Sequence, residues 1–237
     1  ENLISDAPTL GVSLVYGTLR QVPVTNFMTE AELTAWGERA VVNITSAVTK
    51  AKAAGMKYLH FPDGHWGVTD PTTLINFSMY GSNKTHYADI KLENSDGSSG
   101  ALSLETEGCV LHISGDAAAS GLVMSNSGSG FVSSCVGITG FTIYYPEQDW
   151  ANWTLSGNTD LDGDAYYAPT VFPATFIPTN PQRCFFDNLC FVNSYHWINI
   201  KNAQLVAIGR IAGQLIHRGY NVTRMAAGGI TENFSSY

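Results

Sequence analysis

Cys184-Phe-Phe-Asp-Asn-Leu-Cys-Phe-Val192 can be written above Val206-Ala-Ile-Gly-Arg-Ile-Ala-Gly-Gln214, with Leu189 over Ile211 and a spacing of 22 residues. Short β-rich runs broken by Gly or Asn and repeated at such a period mark a solenoid. The register extends back to the run 136–144 at Ile138 and forward to the run 228–234 at Ile230. One unit cannot bury its apolar side alone, so in-register Ile, Leu, Val and Phe must stack into a narrow dry interior. The fold expected is all-β.

The bulk composition narrows the partners. Twelve Lys and Arg stand against 20 Asp and Glu, for a formal net charge of −8. That balance argues against nucleic acid or an anionic membrane as the main partner. No apolar run approaches the roughly 20 residues needed to span a bilayer, so no membrane insertion is expected. The chain opens at Glu1 with neither an initiator Met nor a charged-then-apolar leader, which reads as a processed, excised or partial chain. Cys109, Cys135, Cys184 and Cys190 either form two disulfides in one of three pairings or stand as buried thiols. Six Asn-x-Ser/Thr sequons start at Asn43, Asn76, Asn83, Asn152, Asn221 and Asn233. They suit either a secreted glycoprotein or a turn-rich composition.

Residues 1–42 read as an irregular N-terminal segment, in which Thr29 and Glu32 could form a capping box. Ile44, Ala47, Val48 and Ala51 then fall on one face of a short helix, with Asn43 as cap and Gly55 as stop. Lys57-Tyr-Leu-His-Phe61 follows as a strand, closed by Pro62-Asp-Gly64 and continued by His65-Trp-Gly-Val68. Cys109–Ile113, 121–124 and 131–145 restore the strand pattern after a turn-rich stretch.

Helix, strand, Phe61-Pro-Asp-Gly64 turn and Trp66 together resemble the entrance of right-handed parallel β-helices of the pectate-lyase superfamily. Gly140-Phe-Thr-Ile-Tyr-Tyr-Pro-Glu-Gln148 and Gly209-Arg-Ile-Ala-Gly-Gln-Leu-Ile-His-Arg-Gly219 are similar to runs in secreted polysaccharide-degrading enzymes and phage tailspike depolymerases. The resemblance covers 43–237. It implies a right-handed parallel β-helix with a short N-terminal capping helix, an extracellular or virion-surface location, a polysaccharide or cell-surface glycan as partner, and a homotrimer. The chain stops at Tyr237 inside a coil, so a continuation or a covering chain is expected.

Ile138 and Leu189 stand 51 residues apart, so this coil carries about 29 extra residues over the 22-residue step, placed at about 149–182. This insertion holds Trp150, Trp153, Tyr166, Tyr167, Phe172 and Phe176, whose faces can stack on sugars, and together with Tyr144 its Trp and Tyr residues form the candidate binding set. Asn158, Asp160, Asp162 and Asp164 place oxygen ligands at alternate positions around Gly163, as the first half of a Ca²⁺ loop does; the twelfth position carries Pro169 instead of Glu. Glycoside hydrolysis needs two carboxylates roughly 5 to 10 Å apart. Glu147 is the first candidate, with Asp149 or Asp187 as partner; the bland alternative is that Glu147 binds turn amides. A polysaccharide lyase would instead use a base and a cation, for which Arg210, His217 and Arg218 are the candidates. Chain acidity favours hydrolysis over elimination. His112 and His196 read as ordinary packed residues. A non-catalytic adhesin or fibre module is the rival reading.

Overall fold

The computed structural model describes residues 22–82, 92–93, 101–102, 107–125, 132–148, 154–159, 165–213, 218–225 and 231–235. After a 3-10 turn at Val24–Phe27 come α1 (Glu30–Gly37), β1 (Val42–Asn43), α2 (Thr45–Ala53), β2 (Tyr58–His60), β3 (Gly64–Val68) and β4 (Ser78–Tyr80). Next are β5 (Leu92–Glu93), β6 (Ala101–Leu102), β7 (Cys109–Ile113), α3 (Gly115–Ser120), β8 (Leu122–Val123) and β9 (Val132–Tyr144). A 3-10 turn at Pro146–Gln148 leads to β10 (Thr154–Thr159), β11 (Ala165–Ala168), β12 (Ala174–Ile177) and β13 (Pro181–Val192). The described chain closes with β14 (His196–Lys201), β15 (Leu205–Ile208), β16 (Ile211–Gly213), β17 (Arg218–Met225) and β18 (Thr231–Ser235).

The fold is mostly β, with parallel sheets and few helices. β1 to β4, β7, β9, β13, β15 and β16 form one nine-stranded sheet whose pairings are all parallel. β8, β12, β14 and β17 form a second parallel run, which β18 closes by pairing antiparallel to β17. Parallel neighbours cannot be joined by a tight hairpin, so each pairing implies a long excursion between strands. From β7 onward that excursion carries the chain through the other sheet, by way of β8, β12 and β14.

The step of 22 residues is present as hydrogen-bonded register. Cys184 pairs with Val206 and Leu189 with Ile211 in the first sheet; Ala174 pairs with His196, and His196 with Arg218, in the second. One turn earlier the register differs from the sequence expectation. Ile138 pairs with Phe186, and Leu189 with Phe141, so this step is 48 residues rather than 51. The cause lies in the bend within each long strand. Gly140 (φ 77°) and Asn188 (φ 49°) occupy stacked left-handed positions, which glycine and asparagine adopt at least cost. Inward residues therefore follow a 2-3-2 spacing around the bend, as in Val136, Ile138, Phe141 and Ile143 over Cys184, Phe186, Leu189 and Phe191. A three-residue slip still places apolar residue on apolar residue. Asn180 (φ 53°) and Asn202 (φ 55°) make a second stacked corner, joined by the Asn180 amide donating to the Lys201 carbonyl at 2.8 Å.

The core lies between the sheets. Phe176 of β12 meets Phe186 and Phe191 of β13 at ring-centroid distances of 5.7 and 6.2 Å, and all three are fully buried. Each such burial contributes about 1.5–3 kcal/mol. α2 joins the same core through Ala47, Val48 and Ala51, with Ile44 buried beside them; the Thr45 amide donates to Asn43 Oδ1 at 2.9 Å and Gly55 (φ 79°) follows the end of the helix. α1 carries the full Thr29–Glu32 capping box.

The insertion is not one structureless loop. β10 and β11 within it pair antiparallel, and Ala174–Ile177, expected as loop, is β12 of the second sheet with Phe176 in the core. Of the described residues in the insertion, 154–159 and 165–173 lie outside the two parallel sheets. The four cysteines are free thiols, three of them buried.

Candidate functional site

The last residues of β9 enter a polar neck that fixes where the excursion leaves and returns. Tyr145, fully buried, donates its hydroxyl to Thr175 Oγ1 at 2.9 Å, and Thr175 Oγ1 lies 2.9 Å from the buried Ser194 hydroxyl. Gln148, 1% exposed, clamps Thr170 from both sides: its Oε1 accepts the Thr170 amide at 2.9 Å and its Nε2 donates to the Thr170 carbonyl at 2.5 Å. Phe172 packs on Tyr145 at 5.6 Å. A buried amide satisfied on both ends holds its partner segment in one geometry.

Glu147 stands on this neck and is exposed. Its Oε1 accepts the amide of Gly115, the first residue of α3, at 2.7 Å. A helix N-terminus carries unpaired amides and a partial positive charge, so the carboxylate acts there as a cap. Asp187 lies on the outer side of β13, where its Oδ1 accepts the Arg210 amide at 2.9 Å. A Cβ at Gly209 would collide with that carboxylate, so any larger residue there must displace the Asp187 side chain from this contact. Arg210 is exposed, and its carbonyl accepts the Leu189 amide at 3.0 Å.

Along the strand, Asp187 pairs across to Thr139, five positions before Tyr144, and Glu147 follows Tyr144 in the 3-10 turn. Asp149, the other expected partner, lies outside the described residues, as do Trp150, Trp153, Asp160, Asp162, Asp164 and His217. Asn158 is placed in β10, Tyr166 and Tyr167 in β11, and Arg218 at the start of β17. Among the described residues, no group of three or more His, Cys, Asp or Glu could hold a metal ion. No described helix is long and apolar enough to cross a membrane.

Tyr144, expected to bind substrate, is 3% exposed and sits edge-on to His112 at 5.3 Å. It belongs to a second apolar cluster, with Val110, Cys190 and Val192, apart from the main core. Beside that cluster the structure shows what the sequence did not disclose. His65 Nδ1 and His112 Nε2 are 2.8 Å apart, with both rings buried. Burial, and then the neighbouring His65, hold His112 at a pKa of about 3. The two rings come from positions 47 apart, and the β3–β7 register that brings them together leaves no local pattern. Burial pushes Cys190 up to about 11, and burial followed by Cys135 pushes Cys184 up to about 12, so neither is a ready nucleophile at neutral pH.

No family model, curated protein or solved structure matches this chain.

Proposed function

We propose that the chain is a right-handed parallel β-helix, capped by α2, that binds an extracellular polysaccharide and shortens it by glycoside hydrolysis beside Glu147. The carrying observation is the 22-residue parallel register repeated in both sheets. A stack of equal turns provides an elongated flank, along which a polymer of repeating sugars can lie. Glu147 is exposed just before the aromatic-rich stretch of sequence 149–173, and Gln148 and Thr170 are clamped together beside it. In this reading Glu147 and Asp149 are the acting carboxylates, and Asp187 braces the Gly209–Arg210 turn. Ca²⁺ at the Asn158–Asp164 run and assembly into a homotrimer accompany the reading as its further parts.

A second reading, a non-catalytic glycan-binding fibre, is favoured by β15, the last strand on the described path of its sheet. Leu205 and Val206 there are 58% and 37% exposed, which suits contact with another chain. Incubation with neutral and acidic polysaccharides, following chain length, reducing ends and unsaturated-uronate absorbance, separates the readings. Hydrolysis predicts shortening with new reducing ends, no absorbance, and loss of at least about 100-fold in rate for Glu147→Gln. Shortening with absorbance makes the protein a lyase. Binding without shortening establishes the fibre.

A further inference from the structure

We propose that Tyr58, Tyr80 and Phe185 form an aromatic strip on the outer face of the nine-stranded sheet, on which a neutral, hydroxyl-rich saccharide chain binds. The inference rests on the polysaccharide reading and gives that ligand its seat. In β2, β4, β9 and β13, Leu59, Met79, Ile138 and Phe186 are 0% exposed and belong to the core. Strand alternation turns their neighbours to the outer face. There His60 pairs with Tyr80, Tyr80 with Thr139 and Thr139 with Asp187, in one column across the strands. Beside that column Tyr58 pairs with Ser78, and Gly137 with Phe185.

The rings meet between the columns. Tyr58 and Tyr80 stand edge to face with centroids 5.7 Å apart, and Tyr80 and Phe185 lie 5.6 Å apart at 34°. β9 separates the strands of Tyr80 and Phe185, and the ring of Phe185 reaches across it over Gly137. A Cβ at Gly137 would come within 2.6 Å of that ring, so the bare glycine makes room for the crossing. All three rings are half-buried and keep part of their surface in solvent, and Asp187 beside them is exposed. At about 4.8 Å per strand the strip is about 14 Å long, the reach of a short oligosaccharide, and it runs in the direction in which the turns stack.

The chemistry of the strip selects its ligand. A sugar offers C–H faces to aromatic rings and hydroxyls to polar groups, and His60, Thr139 and Asp187 supply hydrogen-bonding atoms along one side. Burial, against the opposing charge of Asp63, holds His60 below the usual histidine value, so its ring is uncharged at neutral pH. The charge in the columns is then the Asp187 carboxylate, with Asp63 near enough to act on His60; Arg183, two residues before Phe185, lies outside them. That negative balance opposes a uronate and admits a neutral sugar. Among the described residues, the exposed large aliphatic side chains Leu33, Val41, Val171, Leu205 and Val206 fall outside both columns, so the strip is aromatic and polar rather than an apolar protein contact.

The test is calorimetric titration of the whole chain with cellohexaose, mannohexaose and maltohexaose, and with hexagalacturonate as the acidic probe, repeated on Tyr80→Ala and Tyr80→Phe. At least one neutral hexaose should bind; Tyr80→Ala should weaken it by about tenfold or more, and Tyr80→Phe, which keeps the ring, should leave it nearly unchanged. Equal affinity in wild type and Tyr80→Ala, or binding of hexagalacturonate alone, overturns the strip and leaves the polysaccharide reading standing. Binding of none of the four also overturns the strip, and the polysaccharide reading is then decided by the polymer incubations. If Tyr80→Ala does not fold, transferred nuclear Overhauser effects on the wild type decide: contacts from sugar C–H protons to the rings of Tyr58, Tyr80 or Phe185 support the strip, and contacts confined to other aromatic rings overturn it.

Discussion

Asp187 and Glu147 show how far a residue's chemistry can be judged before its neighbours are known. Both are exposed carboxylates, Glu147 in the turn after β9 and Asp187 midway along β13, and sequence reading makes both candidates for catalytic groups. The structure gives each an amide: Arg210 for Asp187 and Gly115 for Glu147. Those partners come from the following turn or from a helix 32 residues upstream, so the engagement was invisible along the chain. The Asp187 contact yields a sharp expectation. Gly209→Ala puts a methyl against the Asp187 carboxylate and should cost about 1–3 kcal/mol, read as a lower urea midpoint. In an Asp187→Ala background the same change should cost much less, because the colliding group is gone. Equal costs in the two backgrounds would remove the contact from the explanation.

The short elements were legible where the pattern is local. The capping box of α1, the Ile44, Ala47, Val48 and Ala51 face of α2 and the strand Cys109–Ile113 all stand where side-chain chemistry placed them. α3 was missed, because Gly115-Asp-Ala-Ala-Ala-Ser120 is one turn of small residues with no apolar period. β12 was missed because aromatics inside a long insertion looked like a binding loop, whereas Phe176 packs into the core. Two predictions belong at this scale. Thr29→Ala removes a cap worth about 1 kcal/mol. Since α1 has no buried residue, the loss should appear as faster amide exchange confined to Glu30–Gly37, with the global unfolding midpoint little changed. Gln148→Ala leaves the Thr170 amide and carbonyl without their clamp and should raise exchange and protease cutting at 170–173. Protection equal to wild type there would show that other contacts hold the neck.

For the molecule as a whole, the 22-residue step was readable because consecutive turns carry no insertion between them, so residues that pair in space also align in sequence. The preceding step was misjudged by three residues, because apolar spacing repeats across the Gly140–Asn188 bend and hydrogen-bond register alone distinguishes the alternatives. Phe176 sits where the two sheets meet, so Phe176→Ala should destabilise the entire structure by about 3–5 kcal/mol, with both sheets lost in one denaturant transition. Two separated transitions would mean that the sheets do not share one core. The polysaccharide reading stands or falls on where a sugar sits. The most direct measurement is a crystal structure with an oligosaccharide from whichever polymer the protein binds. A sugar bound along the flank beside Glu147, with the Gln148–Thr170 neck adjoining it, is the result expected; a sugar held at β15, or nowhere on the protein, would contradict the reading.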